Sequence, residues 1–171
     1  MTTHHTKALF TTTGFALVGV ASWVFLVTDW YVSLPLAIFY AVLTVNTFPS
    51  VHLFASVVPD EDRRHFATDI LLGFLYVLLA ITFIDPISFA LATTLLFIVA
   101  SGKYAMLLNT IPHDALLKRK IIIDAFGALL SASVLGVMLA GFVFSASWAL
   151  AGIFLAANVY LLWVRPMYRL D

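Results

Sequence analysis

"PISFALATTLLFIVASGKYAMLLNTIPHDALLKRK", residues 86–120, decides the fold. Its first two thirds form an apolar run as long as a hydrocarbon layer ~30 Å thick demands of an α-helix rising ~1.5 Å per residue. It closes on Lys118, Arg119 and Lys120, a basic flank of the kind retained on the cytoplasmic side of a membrane. One lysine, Lys103, interrupts the run, where a bare ammonium is expensive.

The rest of the chain repeats the pattern. Of 171 residues, 63% are hydrophobic and only 11% charged, and the mean hydropathy is +1.04. A soluble core of this size cannot hide so much apolar surface, so the composition predicts an all-α polytopic membrane protein. Apolar runs place six transmembrane helices near residues 8–28, 31–57, 67–84, 87–109, 120–143 and 147–164. The opening "MTTHHTK" leads into the first run without a small-residue cleavage site, so that run is expected to be retained.

The connections alternate in character. Three are tiny: Asp29 with its neighbours, Asp85–Pro86, and the "SAS" of Ser145 to Ser147. Two are longer and charged, "PDEDRRH" and "PHDALLKRK". The chain therefore reads as a single membrane domain of three tight helical hairpins, about 8–57, 67–109 and 120–164. Lys7, Arg63, Arg64, Lys118, Arg119, Lys120, Arg165 and Arg169 all fall on one side, so both termini are expected in the cytoplasm. Trp23, Trp30, Tyr31 and Trp148 gather at the opposite ends, where amphipathic rings favour the headgroup region, and Trp163 and Tyr168 mark the cytoplasmic side.

The polar residues inside the spans follow the hairpins. Asp69 and Lys103 have the same separation as Asp124 and Asn158, and as Thr12 and Asn46. Residues equally distant from a tight turn face each other at one depth, here roughly 25 Å from the outer turns. The equal spacing predicts three related hairpins, with Lys103 met by the carboxylate of Asp69 or of Asp124. Asp69, Gly73, Tyr76 and Ala80 share one face of the third span, a stripe suited to receiving Lys103 or lining a cavity.

Small residues recur at Ala128, Ala132, Gly136 and Ala140, and again at Gly152 and Ala156. Such stripes let helix backbones approach closely, which in lipid stands in for the missing hydrophobic drive. The expectation is a helix-packing face within the chain, with a contact to a second copy as the alternative. Pro49 and Pro112 remove helix hydrogen bonds: Pro112 is expected to end a helix, and Pro49 either to bend the second span or to break it.

Much chemistry is missing. There is no cysteine, hence no disulfide, thiolate site or cysteine nucleophile. His4, His5, His52, His65 and His113 form no two-histidine pair within one helix, so haem, zinc and di-iron patterns are absent, no metal site is indicated, and the sequence names no cofactor either way. His52 and His65 flank the same link and together would suit a pH sensor. Ser50 and His52 point in different directions on a helix, and Asp60, Glu61 and Asp62 form a solvated turn beside Arg63 and Arg64. Zero net formal charge without a basic-aromatic run argues against nucleic acid.

The expected partners are the lipid bilayer and either a second copy or another membrane protein. The leading functional expectation is a small transporter or channel-like protein of a bacterial or archaeal plasma membrane. Its polar site near the cytoplasmic side comprises Asp69, Lys103, Asp124, Asn158 and Asn46. The alternative is a non-catalytic scaffold or accessory subunit, with an intramembrane lipid-acting enzyme third.

Overall fold

The computed structural model describes residues 3–57, 63–108 and 114–164. Its helices are α1 Thr3–Leu26, α2 Trp30–Val57, α3 Arg63–Ile81, α4 Pro86–Leu107, α5 Asp114–Leu139 and α6 Val143–Val159. A 3₁₀ turn, Thr82–Ile84, extends α3, and a π-helical turn, Tyr160–Val164, extends α6. No strand occurs among the described residues. Six helical segments are long and apolar enough to cross a bilayer, and the chain is an all-α polytopic membrane protein.

Turn chemistry fixes the outer ends. Asp29 accepts a hydrogen bond from the Tyr31 amide at 3.0 Å and opens α2. Asp85 accepts from the Ile87 amide at 3.1 Å and from the Ser88 hydroxyl at 2.5 Å, with Pro86 in the first turn, where its missing N–H costs nothing. The third turn differs from the sequence expectation. It lies at Gly141, with φ +98°, rather than at Ser145 to Ser147. The Phe142 amide donates to Val137 O and the Gly141 amide to Met138 O, a Schellman closure that needs glycine in the left-handed region. Ser147 instead lies inside α6, donating its hydroxyl to Val143 O at 2.8 Å. Gly141 is equidistant in sequence from Asp124 and Asn158, as Pro86 is from Asp69 and Lys103.

α5 also starts six residues before its expected position, at Asp114, so Leu117 and Lys120 are helical and buried. α2 runs unbroken through Pro35 and Pro49. Pro112, His113, the side chains of Arg63, Arg64 and His65, and residues 58–62 and 165–171 lie outside the described part.

The helices close into a ring in the order α1, α2, α6, α5, α4, α3, and back to α1. Followed round the ring, the second and third hairpins run in one sense and the first in the other. The second and third hairpins are thus arranged alike in the ring and the first in the opposite sense. The most extensive pairing, α4 with α5, joins hairpins rather than forming one. Gly127 permits it, since a Cβ there would sit 3.0 Å from the Phe97 ring. Several hydroxyls within the spans are satisfied locally, as with Thr47 on Leu43 O and Thr93 on Phe89 O, while Thr94 also reaches Ser131 at 3.0 Å across the α4–α5 seam.

The small-residue stripe of α5 does not form the intramolecular face. Leu117, Lys120, Asp124, Ser131, Val134 and Met138 are buried, whereas Ala132, Gly136 and Ala140 are exposed and only Ala128 packs on the core. The tight contact of α5 occurs at Gly127, one position away from the expected stripe, where the Phe97 ring packs against the helix.

A sharper close contact lies between α1 and α2. A Cβ at Gly19 would stand 2.5 Å from the Tyr40 ring, whose hydroxyl donates to Phe15 O at 3.0 Å. Gly19→Ala is expected to cost about 1–3 kcal/mol by overpacking. Gly136→Ala, where a Cβ meets nothing within 4 Å, is expected to be neutral or slightly stabilising. Thermal unfolding of the two variants in one detergent compares them, and equal midpoints would contradict the close packing.

Candidate functional site

Toward the end of the ring that carries residues 3 and 164, the helices part around a cavity of about 420 Å³. All six contribute to its wall. Lys7 and Thr11 come from α1, Asn46, Thr47 and Ser50 from α2, and Asp69, Gly73 and Tyr76 from α3. Phe97, Lys103 and Tyr104 of α4, Lys120 and Asp124 of α5, and Phe154 and Asn158 of α6 complete it. The five polar residues expected from sequence, Asp69, Lys103, Asp124, Asn158 and Asn46, thus line one space. Thr12, the expected mate of Asn46, is not in the wall; its neighbour Thr11 is.

Two ion pairs organise the charges. Lys103 of α4 donates to Asp69 of α3 across the hairpin, at the equal depth their spacing implies. Asp124 has a different partner, Lys120, one helical turn earlier at 2.6 Å. By sequence that lysine belongs to the end of a link, because the apolar run of the fifth span begins only at residue 120. The i, i+4 spacing of Lys120 and Asp124 was the available signal. The Lys120 ammonium also stands 5.4 Å from the centre of the Tyr104 ring, within cation–π range.

The pairs differ in burial. Asp69 exposes 52% of its side chain, whereas Asp124 exposes 1%. The α3 stripe proves dual in placement: Asp69, Gly73 and Tyr76 face the cavity and Asp69 receives Lys103, while Ala80 is buried in the core.

Two buried acceptor atoms in the wall lack a partner, Asp124 Oδ2 and Asn158 Oδ1. The Asn158 amide nitrogen is committed to Phe154 O at 2.9 Å, which leaves its oxygen for something else. A buried acceptor without a donor is costly in a low-dielectric interior. Both atoms are packed within the wall rather than bare to the cavity. Further polar links hold its walls: Thr47 and Tyr76 hydroxyls meet at 2.5 Å, Phe15 stacks on Tyr76 at 4.2 Å, and Ser50 meets the Tyr104 hydroxyl at 3.3 Å.

Toward the opposite end the ring is filled. Phe83, projecting from the 3₁₀ turn, packs edge-on against Trp23 and Tyr40 and tilts against Phe89, while Phe39 joins Phe89 to Phe154. Phe39, Phe83 and Phe89 are each at most 1% exposed. Trp23, expected at the headgroup surface, thus turns partly into this plug, while Trp30 and Tyr31 remain 60% exposed.

Outside the cavity, the structure brings His5 of α1 and His52 of α2 to 5.9 Å between ring centres, with Phe48 beside them. Sequence spacing within single helices had no way to find that pair. Comparison with known protein families, curated proteins and solved structures gives no match, so the functional reading rests on this geometry alone.

Proposed function

We propose that this integral membrane protein is a carrier, a single membrane unit that binds a small solute in the cavity from the cytoplasmic side of a bacterial or archaeal plasma membrane. The carrying observation is a cavity to which all six helices contribute and whose wall gathers two ion pairs, Asp69–Lys103 and Asp124–Lys120, beside Asn46 and Asn158. Ionisable groups this deep are costly and are retained where a substrate or ion uses them. The aromatic plug in the other half favours a carrier closed on one side over an open channel. The positive flank supports an open side in the cytoplasm.

The absence of cysteine makes the test direct, since one introduced thiol is unique. Gly73 lines the cavity, and a Cβ there meets nothing within 4 Å, so Gly73→Cys requires no repacking. In sealed vesicles of either orientation, a membrane-impermeant maleimide is expected to label Cys fast from the side of the termini and slowly from the opposite side. Labelling from neither side would sink the solvated site. Labelling only from the terminal side would sink the carrier step.

A further inference from the structure

The charged groups of the cavity wall are already engaged. Lys103 holds Asp69 and Lys120 holds Asp124, with the Lys120 ammonium also near the Tyr104 ring. Lys7, the third cation in the wall, has a partner as well. Asp124 Oδ2 and Asn158 Oδ1 are packed within the wall and meet no solute. An entering ion would therefore have to displace an existing partner.

Two neutral groups are different. Thr11 of α1 and Asn46 of α2 line the cavity, and among the described residues neither side chain makes a hydrogen bond. Nor are they sealed off: the buried polar atoms without a partner include the Thr12 hydroxyl but no atom of Thr11 or Asn46. The two residues lie at nearly equal sequence distances from the Asp29 turn, which sets them at one depth on paired helices.

Their chemistry runs in both directions. A carboxamide carries N–H donors and an accepting oxygen, and a hydroxyl both donates and accepts. A carboxylate only accepts and an ammonium only donates, so either would leave part of this pair unsatisfied. A solute hydroxyl does both, and several on one molecule serve side chains on two helices at once. The surrounding wall is aromatic, with Phe15 stacked on Tyr76 at 4.2 Å and Phe97 and Phe154 further round, and suits the C–H faces of a hydroxylated carbon chain. A cavity of about 420 Å³ lies at the small end of ligand sites, which run from ~300 to ~1,000 Å³.

We infer that the cavity takes an uncharged polyol of about the size of a hexitol, held by Asn46 and Thr11. The inference rests on the cavity being the binding site and names the class of solute bound there.

Sorbitol, gluconate and glucamine test it, because they share one carbon chain and at neutral pH end in an alcohol, a carboxylate and an ammonium. The full chain carrying Gly73→Cys is labelled with the impermeant maleimide from the side of the termini, with each solute added at constant osmolality. Gly73 lies one turn from Tyr76, whose hydroxyl meets Thr47 beside Asn46, so an occupant shields the introduced thiol. Sorbitol is expected to halve the labelling rate at a concentration about tenfold lower than gluconate or glucamine requires. Asn46→Leu is expected to raise that concentration about tenfold, and the isosteric Thr11→Val to raise it less. Neither is expected to change the labelling rate without solute, which shows that the cavity is intact.

Protection by gluconate or glucamine as strong as by sorbitol would overturn the uncharged class. Equal protection of the parent and both variants would overturn the assignment to Asn46 and Thr11. Fast labelling that none of the three solutes slows would remove the polyol and leave a solvated cavity, so the carrier reading survives that result. Protection by sorbitol with labelling confined to the terminal side would sink the carrier step and keep the polyol site.

Discussion

Lys120→Met is expected to destabilise the detergent-solubilised protein by about 3–5 kcal/mol, the cost of leaving a buried charge without its partner. The carboxylate concerned, Asp124, exposes 1% of its side chain and has one oxygen already unpartnered. Removing Lys120 leaves the other oxygen bare as well. Asp124→Asn in the same chain removes the orphaned charge and is expected to recover most of the loss. Lys103→Met behaves differently, at about 1 kcal/mol or less, because Asp69 keeps half of its side chain exposed when its lysine is gone. Denaturation midpoints of the three variants in one detergent decide the matter. Equal losses for Lys103→Met and Lys120→Met would show that the two carboxylates share one environment.

The two pairs also mark what the sequence can disclose. Asp69 and Lys103 were legible because a two-residue turn makes chain distance a measure of depth, and the Asp85–Pro86 turn is unmistakable chemically. Lys120 was hidden by its neighbours: a run of Lys118, Arg119 and Lys120 reads as a link, yet α5 starts at Asp114 and carries that charge on its first turns. Gly141 was hidden by its apolar surroundings, where a turn glycine resembles one more small residue in a packing stripe.

Face assignment failed for a more general reason. In water, the buried face of a helix is the apolar one; in lipid, the outer face is apolar too, and periodicity no longer separates them. Exposed Leu129 and Leu139 are indistinguishable in type from buried Leu117 and Leu150. Only the polar residues kept their directional information, since Asp124, Ser131 and Asn158 have no favourable place facing acyl chains. For this reason the polar residues that line the cavity were readable while the small-residue face and the ring order were not. Ring order depends on side-chain shape at the seams, such as Phe97 against Gly127, and no turn encodes it.

Phe83→Ala is expected to have the second large effect, about 3–5 kcal/mol, because its ring fills the centre of the plug and the surrounding aromatics relax only in part. Phe83 contacts Trp23 of α1, Tyr40 of α2 and Phe89 of α4, so one side chain ties three helices at the level of the outer turns. Its position depends on the 3₁₀ turn, in which the Asp85 amide donates to Thr82 O at 3.0 Å, just before Asp85 caps α4. Phe25→Ala supplies the control: that ring is 83% exposed on the outer surface, and its loss is expected to be nearly neutral. Stability and sealing are then read from the same protein. In the Gly73→Cys background, Phe83→Ala is expected to speed maleimide labelling from the side opposite the termini while leaving labelling from the terminal side unchanged. Loss of stability without faster labelling would mean that Phe83 holds the helices together but that the neighbouring rings of Phe39 and Phe89 form the barrier. Faster labelling places the barrier at Phe83, and the movement that opens a carrier outward must then displace this ring from between α1, α2 and α4.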